Sequence, residues 1–246
     1  MIAKLKQRRV VWILFWLMAI GGLAVLAFGL YTYSNRRGME RITRIGTWFD
    51  NPAAYDDWLV VGGERCPGAP MLFPSSGYIG VGWSDGAPPM YQHTGYDIFS
   101  PDGADNVTPI YATYDGYLTR ESNWRSAVII QHPTFDELPE VTNGELIWTY
   151  YTHMASRDGE TSYISEEFPP GTYGKFVEAG TLLGYQGTWS GDPNNTRMGL
   201  HLHLSVVKSN PDGSYMNETM LDNTFDPAPF LGIEVGEDNI LRCREG

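Results

Sequence analysis

Residues 199–206 read GLHLHLSV, and this run decides the fold. In an extended chain, residues i and i+2 share a face. Leu200, Leu202 and Leu204 therefore point one way, and His201 and His203 the other. The pattern is that of a half-buried strand, with leucines entering a core and imidazoles leaving it. The chain has only 5 histidines in 246 residues, so the pairing is informative. On its own it fits either a polar face that uses histidine or part of a ligand set.

Working outward, short runs rich in Val, Ile, Tyr and Thr are separated by Gly, Pro, Asp and Asn. The candidate strands are YIGVGW (78–83), TPIYATYDGYLTRES (108–122), SAVIIQH (126–132), LIWTYYTHM (146–154), TLLGYQGTW (181–189) and LHLHLSVVK (200–208). Two polar stretches rich in turn formers, 133–145 and 155–174, read as surface loops. The pattern predicts an all-β fold, a small and largely antiparallel β-sheet domain of sandwich-like form.

The net charge is -12, which excludes a nucleic-acid binder that must neutralise phosphates. Eight of the 17 basic residues precede Gly46, so the remainder sits near -19. Residues 10–31 carry no charge. As a helix this run would cross an apolar layer of roughly 30 Å. The reading is a single-pass transmembrane anchor at 10–31, with a cleaved signal peptide as the alternative. A short basic cytoplasmic tail (1–9) precedes it and a juxtamembrane segment (32–65), with one short helix, follows. The domain at 66–246 would then be extracytoplasmic, attached to the membrane by the N-terminal helix. Cys66 and Cys243 lie near the two ends of that domain. They are either a disulfide tying the ends together in an oxidising compartment or two free thiols.

The remaining polar elements bear on the chemistry. QHTGYDIFS (92–100) holds His93 and Asp97, with Gly95 between them to permit a bulge or bend that brings both around one ion. His153, in YYTHMAS, shares strand parity with Tyr151 and Thr149. His132 closes an apolar strand before a proline and reads as structural. Zinc takes nitrogen and carboxylate ligands and, in catalytic sites, keeps one position open. Two histidines and one aspartate make such a set and leave two histidines for proton work. The chain has no His-Glu-x-x-His, no Gly-x-Ser-x-Gly and no phosphate-binding glycine loop.

HTGYD (93–97), YYTHM (150–154) and GLHLHLSV, in that order, resemble the motifs of the lysostaphin/LytM zinc endopeptidases. VEAGTLLGYQGTWS (177–190) and DPAPFL (226–231) extend the likeness over roughly residues 73–231. The resemblance implies one Zn2+ per chain, bound by His93, Asp97 and His203. It implies catalytic roles for His153 and His201, and a groove across one sheet walled by loops. It also implies hydrolysis of peptide bonds in bacterial peptidoglycan. Where the family usually has Glu after His-Leu-His-Phe, this chain has Ser205 after HLHL. A non-catalytic wall-binding or hydrolase-activating module of the same fold is the alternative, and the filled ligand set argues against it.

Overall fold

A computed structural model describes the backbone at residues 2–87, 91–195 and 198–244; within the first helix, side chains are described at 12, 16–29 and 36–50. Nine strands form the main sheet: β1 (Leu59–Val60), β2 (Gly77–Val81), β3 (Tyr96–Phe99), β4 (Gly116–Thr119), β5 (Val128–His132), β6 (Ile147–Thr152), β7 (Lys175–Val177), β8 (His201–Lys208) and β9 (Thr224–Phe225). Their order is β1-β2-β3-β8-β6-β5-β4-β7, with β9 also pairing β8. The pairings are antiparallel, as the alternating pattern predicted. The segment 108–122 splits: Pro109–Tyr111 leaves the main sheet to pair with Leu182–Tyr185, while 116–119 becomes β4.

The core lies under one face of the sheet. Ile98, Leu118, Ile130, Tyr151, Leu202 and Leu204 are fully buried there and share a cluster with Ile110, Leu183 and Phe230. Each such side chain contributes roughly 1.5–3 kcal/mol by leaving water. Cys66 and Cys243 are disulfide-bonded with Cα atoms 5.3 Å apart, closing a loop across 177 positions.

The N-terminal reading is corrected. Among the described residues no helix is long and apolar enough to cross a membrane. The expected anchor, and with it the single-pass extracytoplasmic placement, is not upheld. The side chains of 1–9, read as a cytoplasmic tail, lie outside the described residues. Physically, the charge-free run does not stand alone. It lies within one helix, α1 (Ile2–Asp50), which continues through Arg36, Arg37, Glu40, Arg41 and Arg44. The last turns of α1 are tied to the β-domain by buried polar contacts. Arg41 is 5% exposed; its Nη2 donates to both carboxylate oxygens of Asp85 at 2.7 Å, and Nη1 donates to Asn239 Oδ1 at 2.9 Å. Trp48 Nε1 donates to the carbonyls of Phe99 and Ser100 at 3.1 and 3.0 Å. Tyr78 Oη donates to the Arg41 carbonyl at 3.1 Å. Gly80 permits the approach, since a Cβ there would lie 2.7 Å from Ile45 Cγ1.

His132 is buried away from the other histidines. Its Nδ1–H donates to the Asp115 carbonyl at 2.8 Å, and its Nε2 lies 2.8 Å from Thr149 Oγ1. Burial lowers its pKa from 6.5 to about 4, against the opposing influence of Asp115.

Two outcomes follow from these contacts. Arg41→Ala leaves the Asp85 carboxylate without its cation and should cost about 3–5 kcal/mol in urea unfolding. His132 is neutral in the fold, so between pH 6.5 and about 4 the unfolded chain binds more protons at this position. Stability due to His132 is therefore complete above pH 6.5 and is lost as pH falls, by about 3 kcal/mol. Urea titrations at pH 7 and pH 4 should show a shallower loss for His132→Gln; an unchanged slope would contradict the assignment.

Candidate metal centre

The site is built on β8. Leu202, Leu204 and Val206 enter the core, while His201, His203 and Ser205 occupy the opposite face. Register then sets the neighbours. His203 stands opposite Asp97 on β3 and opposite Thr152 on β6. Directly opposed side chains have Cβ atoms about 4.5–5.5 Å apart, so Asp97 and His203 are brought together by sheet pairing alone. Gly95 serves this closeness differently from expectation. No left-handed bend occurs there; a Cβ at Gly95 would sit 2.1 Å from the Leu204 carbonyl oxygen. Glycine lets the chain before β3 lie against β8.

His93 precedes β3 and is held by its own backbone. Its N–H donates to the Asp85 carbonyl at 2.7 Å, and its carbonyl accepts the Ser84 N–H at 2.7 Å. Its Nδ1–H donates to the Gly82 carbonyl at 3.0 Å, which leaves Nε2 as the lone-pair nitrogen. That Nε2 lies 3.0 Å from Asp97 Oδ1 and 3.0 Å from His203 Nδ1, and His203 Nδ1 lies 2.9 Å from Asp97 Oδ1. His203 Nε2 lies 2.8 Å from Ser205 Oγ, on the side of the ring away from Nδ1.

His93 Nε2, Asp97 Oδ1 and His203 Nδ1 thus converge, and the His93 ring has already committed its N–H elsewhere. Acceptors do not crowd to 3 Å without a cation or a proton among them. Ligands about 2.0–2.2 Å from one tetrahedral ion stand ~3.3 Å from each other, close to the spacing seen. The donor set of two imidazoles and one carboxylate suits zinc. Among the described residues, His93, Asp97 and His203 form a group whose ligand atoms lie within mutual reach of one ion. Ser205 is two residues beyond His203 on the same face, and its hydroxyl lies within hydrogen-bond reach of that ring and restrains it.

The electrostatics agree with a charged cluster. Burial works to raise Asp97, yet the adjoining His93 and His201 overcome it and hold the carboxyl well below the usual range. Burial also opposes charge on His93, where Asp97 prevails and raises the pKa. Burial lowers that of His203.

His201 and His153 flank this group. His201 Nδ1–H donates to the Gly199 carbonyl at 2.8 Å, and its Nε2 lies 3.6 Å from Asp97 Oδ1. The ring stacks on Phe99, with centroids 4.9 Å apart. His153 reaches the site by a route that strand parity misreads. Its parity partners Thr149 and Tyr151 lie on the buried side, where Tyr151 Oη is 2.9 Å from Thr113 Oγ1. The strand ends at Thr152, and His153 adopts φ = 74°, a left-handed conformation that redirects its side chain. Such a conformation costs a non-glycine residue roughly 1–2 kcal/mol. His153 Nδ1–H donates to the Trp189 carbonyl at 2.6 Å, and its ring centroid is 4.5 Å from that of His201. Burial, with His201 and His203 adding to it, lowers its pKa to about 3. The ring is neutral at physiological pH.

A cavity of about 550 Å³ opens above these groups. Sequence reading missed several of its walls. Ile45 and Phe49 come from the docked end of α1, and Phe49 packs edge-on against Phe99 at 5.8 Å. Glu218 lines the cavity with Tyr150, its carboxyl pKa raised by burial. These residues have no local motif; only the tertiary packing of α1 and of the 217–220 loop assembles them. The turn before the His pair, NNTRMG (194–199), includes residues 196 and 197, which lie outside the described residues.

If His203 holds a zinc ion, Ser205→Ala should weaken its binding by about 10- to 100-fold while leaving the fold intact, because it removes the hydroxyl that restrains the His203 ring. Competition with a chelator measures this, and an unchanged affinity would count against His203 as a ligand.

Neither a family model nor a curated protein matches this sequence. Several solved structures are similar to it. One from Ruminococcus gnavus, provisionally described as a glycyl-glycine endopeptidase lytM, is 21% identical over 56% of this chain and 45% of its own, with a TM-score of 0.37. The catalytic domain of the antimicrobial peptidase lysostaphin from Staphylococcus simulans is 18% identical over 66% of this chain and 92% of its own, with a TM-score of 0.34. A zinc-containing peptidase from Vibrio cholerae is 15% identical over 65% of this chain and 39% of its own, with a TM-score of 0.32. The chain thus spans less than half the length of the first and third. The solved structures to which this chain is similar are LytM/lysostaphin-type peptidases.

Proposed function

We propose that this chain is a zinc metalloendopeptidase acting on peptide bonds of bacterial wall peptidoglycan. The observation that carries the reading is the convergence of three metal-ligand atoms beside two further imidazoles on one open sheet face. The substrate class comes from the motif resemblance. His93 Nε2, Asp97 Oδ1 and His203 Nδ1 would hold the ion. Zinc, when bound, supplies a Lewis acid that polarises the scissile carbonyl and lowers the pKa of water.

The chain's own residues do the rest. His153 is neutral, and its Nδ1–H is fixed on a main-chain carbonyl, so Nε2 is the nitrogen that accepts a proton. It takes that proton from the attacking water and returns it to the departing amine as the C–N bond breaks. His201 lies between His153 and Asp97 and shares the work of stabilising charge on the carbonyl oxygen. Stacking on Phe99 and the bond to Gly199 hold its ring in place, so little orientation entropy is lost when substrate arrives.

The test separates holding the metal from turning over. His203→Ala should lose both bound zinc and the release of new amino termini from purified peptidoglycan. His153→Ala should keep about one zinc per chain and lose about 10²- to 10⁴-fold in rate. Full turnover without His153 would remove it from the mechanism. Stoichiometric zinc with no cleavage by the unaltered chain would favour the binding-module alternative.

A further inference from the structure

A second cleft lies on the same sheet face as the metal site. On β6, Thr152, Tyr150 and Trp148 share that face, standing opposite His203, Ser205 and Val207. Register carries the face onward through Ile129 and Gln131 on β5, Thr119 and Tyr117 on β4, and Phe176 on β7. From Thr152 to Trp148 is ~13 Å along the strand, and β4 lies two strands, about 10 Å, to the side. The cleft measures about 520 Å³; Tyr117, Trp148, Tyr173, Tyr215, Gln131 and Asp212 are among its walls.

Its chemistry is unusual for a solvated surface. Of its rings Tyr173 is 86% exposed and Tyr117 43%; Phe176, 53% exposed, stands beside the cleft and meets Tyr117 edge-on at 5.7 Å. Behind them Trp148 and Tyr215 pack at 5.4 Å, with Trp148 Nε1–H anchored on Ser209 Oγ. Exposed rings gathered in one concavity mark a ligand site more often than a core. The polar groups are amide, hydroxyl and carboxylate. Gln131 Nε2 donates to the Gly213 carbonyl at 3.2 Å, which fixes its amide, and Glu121 lies 3.4 Å from Tyr215 Oη. No lysine or arginine is among the lining residues, so an anion would meet only Glu121 and Asp212. What suits flat apolar rings edged by hydrogen-bond acceptors is a molecule with C–H faces and O–H edges.

We propose that this cleft binds an uncharged oligosaccharide. The sugar rings lie against Tyr117 and Tyr173, and their hydroxyls donate to Asp212, Glu121 and the Gln131 carbonyl oxygen. A chain of a few sugar units is long enough to run from this cleft toward the metal site along one sheet face. The site does not depend on the peptidase reading, since it shares no lining residue with the metal cavity.

The test is tryptophan fluorescence and NMR titration of the full chain with β-1,4-linked tetramers of N-acetylglucosamine and of glucose. Saturable binding of at least one is expected. Tyr173→Ala and Tyr117→Ala should each weaken it by about 3- to 10-fold, and His203→Ala should leave it unchanged. Tyr173 is exposed enough that its truncation leaves the fold alone. No saturable response to either tetramer overturns the proposal. So does binding indifferent to both tyrosine variants, or binding lost with His203→Ala, which would put the sugar at the metal site. Choline serves as the contrasting probe; saturation by choline but not by sugar would show a cation cage instead.

Discussion

The structure depends on one constraint, the two-residue period of the central strand β8. Because it is flanked on both sides, its faces cannot rotate independently. Burying Leu202, Leu204 and Val206 forces His201, His203 and Ser205 to the other side together. A slip of one residue would put imidazoles in the core and leucines in the groove. The hydrophobic free energy of the core therefore also fixes the positions of a proposed metal ligand, the hydroxyl beside it and a second imidazole. Pairing with β3 then delivers Asp97, and the chain end of β6 delivers His153.

The parts legible in the sequence are those governed by this period. The alternation in GLHLHLSV gave the strand, its faces and the shared side of His201 and His203. Antiparallel pairing followed from the short β-rich runs and their turn-forming separators. What could not be read depends on single backbone angles or on distant partners. His153 has the parity of core residues, and only its positive φ brings it to the groove. Gly95 looked like a hinge but is needed because the Leu204 carbonyl leaves no room for a Cβ. The charge-free run at 10–31 suggested a separate anchor, since nothing local shows that Arg41 pairs with an aspartate 44 positions away.

The histidines also divide by how their second nitrogen is used. His93, His153 and His201 each spend Nδ1–H on a main-chain carbonyl, and His203 Nε2 meets the Ser205 hydroxyl. All four rings are thereby held in orientation, and the first three also in tautomer, before any ligand arrives. His132 spends Nδ1–H the same way, yet its other nitrogen meets Thr149 inside the core. The same residue type is structural in one place and chemically exposed in another because one lies under the sheet and the others on it.

The docked end of α1 enters this arrangement through one short chain of contacts. Arg41 grips the Asp85 carboxylate with both bonds at 2.7 Å. Asp85 Oδ2 accepts the Gly82 N–H at 2.6 Å, and the Asp85 carbonyl accepts the His93 N–H at 2.7 Å. Gly82 in turn holds His93 Nδ1–H. The guanidinium therefore rigidifies the 82–85 turn, and the turn sets both the backbone and the ring of His93, a proposed ligand. Ile45 and Phe49, one and two turns farther along the same helix, wall the cavity on the side of His201. A segment that reads as a tether is, at its last turns, part of what shapes the groove and orients His93. The helix and the β-domain are one folded unit at this point, since neither the wall nor the turn is complete without the other.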